Sequence, residues 1–345
     1  MRKNRISQRA SKLVLPALLL IAAAIPVLIS NTYYLDVLAR VFIWTIAVSG
    51  MNVIVGYTGQ LSLAHAGFFG IGAYTFGLLM VKAEMPFLPS LVVAMVATGL
   101  IGALVGFISL RLKGHYFAIF SLCVGVILLL LIEKWESLTE GVRGLLGIPV
   151  PQIGSLVFSS LTSQYYLILF FLVLTALINK RIVQSLVGRT FMSIRNSEEL
   201  AVALGINVMR NKILAFVHST VLAGLAGALY AGYIRFLGPD IAHVEHTFDM
   251  LLYLLVGGIG TLWGPLVGTT LVTILMQMLQ SWQEYRMMIF GPVLVLLVMF
   301  LPYGIIGTCV RLKQRRQTEL ERRAEHTTAV SSVHEQRLSG GKADA

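Results

Sequence analysis

Residues 90–110 read SLVVAMVATGLIGALVGFISL, a stretch without a single charged side chain. At about 1.5 Å per residue such a helix covers the roughly 30 Å hydrocarbon core of a bilayer. Working outward, comparable apolar runs occupy 61–81, 38–56 and 13–30 on one side and 115–132, 165–179, 213–232, 249–259, 263–280 and 288–306 on the other. The chain is 57% hydrophobic and 12% charged, with a mean hydropathy of +0.80, whereas charged residues make up about a quarter of a soluble domain. The fold class expected is therefore all-α, a polytopic membrane helix bundle of about ten transmembrane helices. Residues 1–12 read as a basic cytoplasmic N-terminus, 13–310 as one transmembrane domain, and 311–345 as a polar, disordered cytoplasmic tail. The run at 13–30 follows Arg2, Lys3, Arg5, Arg9 and Lys12 in the manner of a signal peptide; with nine more spans after it, it reads as an uncleaved first helix.

The net charge is +11. With the N-terminus in the cytoplasm, 21 of the 27 Lys and Arg fall in cytoplasmic segments, leaving Arg40, Lys82, Lys134, Arg143, Arg235 and Arg286 outside. That asymmetry is the positive-inside pattern and puts both termini in the cytoplasm, with the basic start of the tail at the inner membrane surface. The basic residues form no stripe with interleaved aromatics, so nucleic acid is not expected as a partner. Cys123 and Cys309 have no ligand spacing and read as small buried hydrophobes. Five spans before the long outside segment 133–164 and five after it give the halves opposite orientations. Parity alone thus points to a 5+5 inverted repeat with broken or half helices, although the halves share no evident sequence identity. The run 249–259 is short and interrupted by Gly257, Gly258 and Gly260, so a re-entrant or half helix is expected there.

Residues 56–77, GYTGQLSLAHAGFFGIGAYTFG, combine glycines with the polar Tyr57, Thr58, Gln60, Ser62 and His65. Gly67, Gly70, Ala73 and Gly77 recur at spacings of three and four, a face for close helix packing. The polar residues are candidates for a translocation pathway, with a helix N-terminus near Gly59 to Leu61 presenting N–H groups to it. An intramembrane His65 reads either as a pathway residue or as a hydrogen-bonded structural histidine. Ser62 and His65, three apart on one helix face, raise a serine hydrolase, but no GxSxG elbow and no orienting acid accompany them. His243, Glu245, His246 and Asp249 cluster in the following outside loop; HEXXH is absent and no metal site is assigned.

The one long cytoplasmic loop, 180–212, reads KRIVQSLVGRTFMSIRNSEELAVALGINVMRNK. Asn196 and Glu199 fit a capping box, Glu198 and Glu199 suit a helix start, and Gly205 suits a stop, which together predict a short helix over about 197–204. Such a helix between two spans either docks a cytoplasmic protein or is an ordinary amphipathic surface helix.

The stretch GRTFMSIRNSEELAVALGINVMRNKILAFVHSTVLAGLAGALYA resembles the coupling region of the LivM-type permeases of branched-chain amino acid ABC importers. GYTGQLSLAHAGFFGIGAY at 56–74, GLLGIP at 144–149 and LVGGIGTLWGPLVG at 255–268 resemble the same family in the same order, so the likeness covers roughly 40 to 310. The resemblance implies a transmembrane subunit in a bacterial inner membrane, without catalytic residues or cofactors of its own, with Gly188, Arg189, Ile194, Arg195, Glu198, Ala201 and Gly205 at positions that contact or shape an ATPase-docking loop. It implies as partners a second, LivH-like permease, two cytoplasmic ATPases carrying the ATP and Mg, and an external solute-binding protein. Where the family commonly has a sequence like TGGTNGL before GIP, this chain has Thr139-Glu140-Gly141-Val142-Arg143-Gly144-Leu145. Branched-chain amino acids lead as the solute, with urea, amides and aromatic or other carboxylates as alternatives. No Walker A motif GxxxxGK[ST] occurs, so ATP must bind elsewhere. An ion-coupled transporter would be expected to carry Asp or Glu inside the spans, where the assigned runs have almost none, and a channel would conduct without ATP.

Overall fold

A computed structural model describes residues 22–26, 31–278, 291, 299 and 304–308. The expected runs 13–30 and 288–306 and both polar termini lie largely or wholly outside the described residues, though 22–26 and 304–308 are helical. Helix α1 is Thr32–Met51 and widens into a π-helical turn, Asn52–Tyr57. Helices α2 (His65–Val81), α3 (Phe87–Ser109) and α4 (His115–Lys134) follow. A short α5 (Glu136–Thr139), the strands β1 (Leu145–Leu146), β2 (Gln152–Ile153) and β3 (Leu156–Val157), and α6 (Leu161–Gln184) complete the first part. Then come α7 (Leu186–Asn196), α8 (Glu198–Ala203), α9 (Val208–Ile234), β4 (Phe236–Leu237), α10 (Val244–Gly257) and α11 (Gly264–Met278). Among the described residues five helices are long and apolar enough to cross a membrane, and α2 and α11 are shorter apolar helices.

The bundle is arranged around α9, which packs against α1, α2 and α3. In lipid no hydrophobic drive separates helix–helix from helix–lipid contact, so close backbone approach has to supply the attraction. The sequence AGLAGALYAG at 223–232 supplies it. The backbone of Gly224 lies against Gly72 of α2, and a side chain at Gly227 would strike the Phe69 carbonyl and the Ala73 amide. The glycine face read from the sequence serves other neighbours: Gly67 meets Leu128 and Gly125 of α4, and Gly70 meets Ala242 and Ile132. Apolar side chains on the outer sides of α3 and α4, among them Leu100, Leu104, Phe107, Ile119 and Ile127, are exposed as a lipid-facing surface requires.

Several boundaries differ from the sequence reading. The run 61–81 begins as helix only at His65, so the expected helix start near Gly59 to Leu61 moves inward and Ser62 does not share a helix face with His65. Irregular backbone at membrane depth is tolerated when protein satisfies it. Here the Gln60 amide donates to the Ile54 carbonyl (3.1 Å), the Leu63 amide to Ser121 Oγ (2.9 Å), and the Ala66 amide to Thr247 Oγ1 (2.9 Å). The run 249–259 belongs to α10, which starts earlier, at Val244, and is about 21 Å long at 1.5 Å per residue, short of a full crossing. Its first turn lies at the depth of Trp44, the middle of the α1 rod, since the Trp44 and His246 rings are 5.4 Å apart. Thr247, in that same turn, binds the first turn of α2, so two interrupted helices meet inside the membrane. His243, Glu245, His246 and Asp249 are consequently not an outside loop: His243 caps α10 and the others ride its first turns. Arg40, counted above as outside, lies two turns within α1.

At the end of the bundle opposite α7 and α8, β1 pairs antiparallel with β4, Leu145 opposite Leu237, and Tyr74 donates to the Leu237 carbonyl (3.0 Å). The unusual Glu140 takes a left-handed turn position and pairs with Lys82 at 3.0 Å; both are well exposed, so the pair contributes little stability.

Replacing Gly227 with Leu should destabilise the chain by about 3 kcal/mol or more, because neither Phe69 nor Ala73 backbone can yield. Leu104→Ala, on the lipid face, should cost no more than about 0.5 kcal/mol. Thermal unfolding of the purified chain in detergent compares the two, and equal midpoints would contradict the packing described.

Candidate functional site

The end of the bundle that bears α7 and α8 gathers most of the residues singled out in the sequence. Helix α7 is capped by Ser185, whose Oγ accepts from the Gly188 amide (3.4 Å), and it buries Gly188, Phe191 and Ile194 along one side. Gly188 sits so close to the Ile182 and Val183 carbonyls at the end of α6 that a side chain there would collide with them. The next helix, α8, is not capped by Asn196, as the capping-box reading held, but by Ser197, whose Oγ accepts from the Leu200 amide (3.2 Å). Asn196 is already used by the last turn of α7, a helix absent from the sequence reading. Helix α8 stops as expected at Gly205, φ +78°. The Gly205 amide donates to the Val202 carbonyl (2.9 Å) and the Ile206 amide to the Ala201 carbonyl (3.0 Å), the paired bonds of a Schellman ending.

Two charged residues of this segment turn inward. Arg195 Nη1 donates to the carbonyl of Gly56, at the π-helical end of α1. Glu198 pairs with Lys212 of α9 and accepts from Gln60 Nε2 (3.2 Å). Lys212 is only 2% exposed, so Glu198 is its one acidic partner among the described residues and cannot be lost cheaply. Ala201 is buried, whereas Arg189, Leu186, Met192, Leu200, Val202 and Leu204 face outward. Apolar side chains that exposed, on the polar end of a membrane protein, mark a surface awaiting a partner.

The tether continues past Arg195. Gly56 abuts Gly260 so closely that no side chain fits between them. Asn52, in the same π turn, donates from Nδ2 to the Thr261 carbonyl (2.8 Å) and accepts from the Gly260 amide (2.8 Å). Both Gly258 (φ +118°) and Gly260 (φ +74°) have backbone conformations that side chains rarely allow, and Gly257 packs on Gly264 and Gly268 to fold α11 back on α10. Helix α7, the end of α1 and the α10–α11 turn therefore form one hydrogen-bonded unit. Asn52 was legible in principle, as the sole amide side chain within the run 38–56, but a single amide does not reveal its partners.

The proposed pathway residues are all buried in the single chain. Thr58 Oγ1 donates to the Ile54 carbonyl (2.6 Å), and His65 Nε2 shares a 2.6 Å hydrogen bond with Ser219 Oγ of α9. Tyr57, Ser62 and His65 thus sit in packed surroundings, while Thr58 and Gln60 edge a cleft of about 420 Å³ bounded by Gly114, His115 and the Ile194–Glu198 segment. Among the described residues no group of three His, Cys, Asp or Glu is placed to hold a metal ion.

Residues 33–298 match the family model described as the branched-chain amino acid transport system, permease component. The chain belongs to this permease family. The permease is 30% identical over 318 residues, 86% of its length and 75% of the relative's, to the high-affinity branched-chain amino acid transport system permease protein LivM of Salmonella typhimurium, and equally so to that of Escherichia coli. A probable branched-chain amino acid transport permease protein LivM of Methanocaldococcus jannaschii is 25% identical over 239 residues, 63% of this chain and 68% of that one. No solved structure matches the permease significantly. Its family makes it a multi-pass transport subunit, and the interrupted helices, the Asn52 clamp and the outward surface of α7 and α8 all lie within the matched residues.

Two substitutions test this hydrogen-bonded unit. Lys212→Met should destabilise the permease toward the lower end of the roughly 3–5 kcal/mol seen for broken buried pairs, since Glu198 keeps some contact with water. Asn52→Ala should cost about 1–3 kcal/mol by orphaning the Gly260 amide and Thr261 carbonyl, and should expose the 258–263 turn to limited proteolysis. An unchanged digestion pattern would contradict the clamp.

Proposed function

We propose that this permease is one transmembrane half of an ATP-driven importer of branched-chain amino acids in a bacterial inner membrane. In this reading it pairs with a second, LivH-like permease, two cytoplasmic ATPases supply ATP and Mg chemistry, and an external binding protein delivers solute to the outer loops. Both termini lie in the cytoplasm, in keeping with the distribution of Lys and Arg. The relatives' names favour the solute class. The observation that carries the reading is the doubled role of α7 and α8. Their outward face offers exposed Leu186, Met192, Leu200 and Leu204 to a docking protein, while Arg195 and Glu198 tie the same helices to α1, α9 and Gln60 in the irregular segment before the interrupted α2.

Closure of the ATPases would displace α7 and α8, and the Arg195–Gly56 and Asn52–Gly260 links would carry that displacement to the α10–α11 turn. A two-state pathway is then biased by nucleotide through differential contacts, as any such switch requires. The 5+5 inverted repeat is part of the proposal, the interrupted α2 and α10 being the helices such a repeat places at the pathway. An ion-coupled reading draws on Asp36 and Asp249, which the bundle carries within its helices, and it requires uptake by the permease without ATPases.

In proteoliposomes holding the whole assembly, solute-loaded binding protein should stimulate ATP hydrolysis. Arg195→Ala should reduce that stimulation about tenfold while the ATPases remain bound, the loss of an ordinary coupling free energy. Full stimulation in Arg195→Ala would remove the tether from the mechanism, and ATP-independent uptake would replace the importer reading by the ion-coupled one.

A further inference from the structure

The lipid-facing sides of α3 and α4 are apolar, but one side of the bundle is not. On α1, Asp36, Arg40 and Trp44 recur at every fourth residue and so share a face that descends from the outer end to the middle of the helix. Arg40 lies about 12 Å along the helix from Thr32 and is half exposed (50%), with Asp36 31% exposed. Asp36 Oδ2 is 3.1 Å from Arg40 Nη2, and Asp36 Oδ1 accepts from Tyr233 OH (2.6 Å). Below them the Trp44 ring stacks on Phe69 (4.9 Å between centroids), with Tyr230 of α9 at 6.4 Å and His246 of α10 at 5.4 Å. His246 Nδ1 lies 3.6 Å from Asp249 Oδ2, and Asp249, deeper still, is 46% exposed.

Exposed charged groups at this depth cannot face hydrocarbon; they face water or a water-lined seam. The stripe carries both signs of charge with aromatic surface between them. A free amino acid carries a carboxylate and an ammonium on one carbon beside its side chain, so it can exchange partners with the Asp36–Arg40 pair without changing the net charge of the wall. A neutral amide or urea would leave one partner unmatched, and a simple carboxylate would leave Asp36 and Asp249 uncompensated.

We propose that the face bearing Asp36, Arg40, Trp44, His246 and Asp249 is this permease's wall of the solute pathway, from the outer surface past the start of α2 to the second turn of α10, and that it selects zwitterionic amino acids. Arg40 takes the carboxylate, Asp36 and then Asp249 take the ammonium, and the Trp44 and Tyr230 rings pass the side chain. The proposal rests on the importer reading and adds the wall and the charge selection to it.

Single cysteines at 36, 245, 249 and 100 are introduced in a Cys123→Ser, Cys309→Ser background of the complete assembly and treated from outside with a charged, membrane-impermeant thiol reagent. Asp36→Cys, Glu245→Cys and Asp249→Cys should react and Leu100→Cys, at mid-depth on the lipid side of α3, should not. Glu245 is exposed one turn before Asp249 and is given no part in holding the solute. Leucine at saturating concentration should slow labelling of Glu245→Cys at least severalfold, whereas leucinamide and N-acetylleucine should not. Labelling of Asp249→Cys as slow as that of Leu100→Cys overturns the wall. Equal protection by all three compounds, or none by leucine, overturns the zwitterion selection. Ligand-stimulated ATP hydrolysis, measured on the same unlabelled preparations, separates these outcomes from failure of the importer reading, which alone predicts that stimulation.

Discussion

The backbone contact between α2 and α9 fixes much of what surrounds it. With Gly72 on Gly224 and Gly227 on Phe69, two helices lie closer than side chains permit, and α1 and α3 close around the same rod. In a bilayer, where burying another leucine gains nothing over lipid, this approach is what holds the bundle together. It also positions the break before α2. The segment 58–64 can be irregular because α9 offers Ser219 to His65, α4 offers Ser121 to Leu63, and α10 offers Thr247 to Ala66.

That break brings two helix starts together at mid-depth and connects them to α7 and α8 by a short route. Arg195 reaches the Gly56 carbonyl, Asn52 holds the Gly260–Thr261 turn, and α10 runs from that turn back to Thr247 and the start of α2. Glu198, held between Lys212 and Gln60, anchors the other end of the α7–α8 segment. The residues that make the route are few and polar inside an apolar body, so each is costly to remove. That cost is what makes a rigid link rather than a loose one.

Five of the ten apolar runs of the sequence, 38–56, 90–110, 115–132, 165–179 and 213–232, fall on the five long helices among the described residues, because membrane thickness sets their length directly. Their ends were less legible. The start of α2 was read four residues early because Leu61 and Leu63 are apolar whether or not they are helical, and a helix buried on all sides has no periodicity to mark its beginning. The first half of α10 reads as loop in the sequence because His243, Glu245, His246 and Asp249 are polar, and polarity alone does not separate a loop from the half-exposed first turns of a helix. In the segment 180–212 the stop at Gly205 is written in one residue with positive φ, while the choice between Asn196 and Ser197 as cap depends on α7 having already claimed Asn196. Arg195 and Glu198 were recognisable as important, but their inward direction depends on Gly56, Gln60 and Lys212, which are distant in sequence.

Helices α7 and α8 and the α10–α11 turn should move as one body. Spin labels at Met192→Cys on α7, Leu262→Cys in the turn and Phe236→Cys on β4 at the opposite end of the bundle, placed pairwise in the assembled transporter, measure this by pulsed electron resonance with and without trapped ATP. The account predicts that the 192–262 distance stays constant while the 192–236 distance changes. A 192–262 distance that shifts with nucleotide would contradict it.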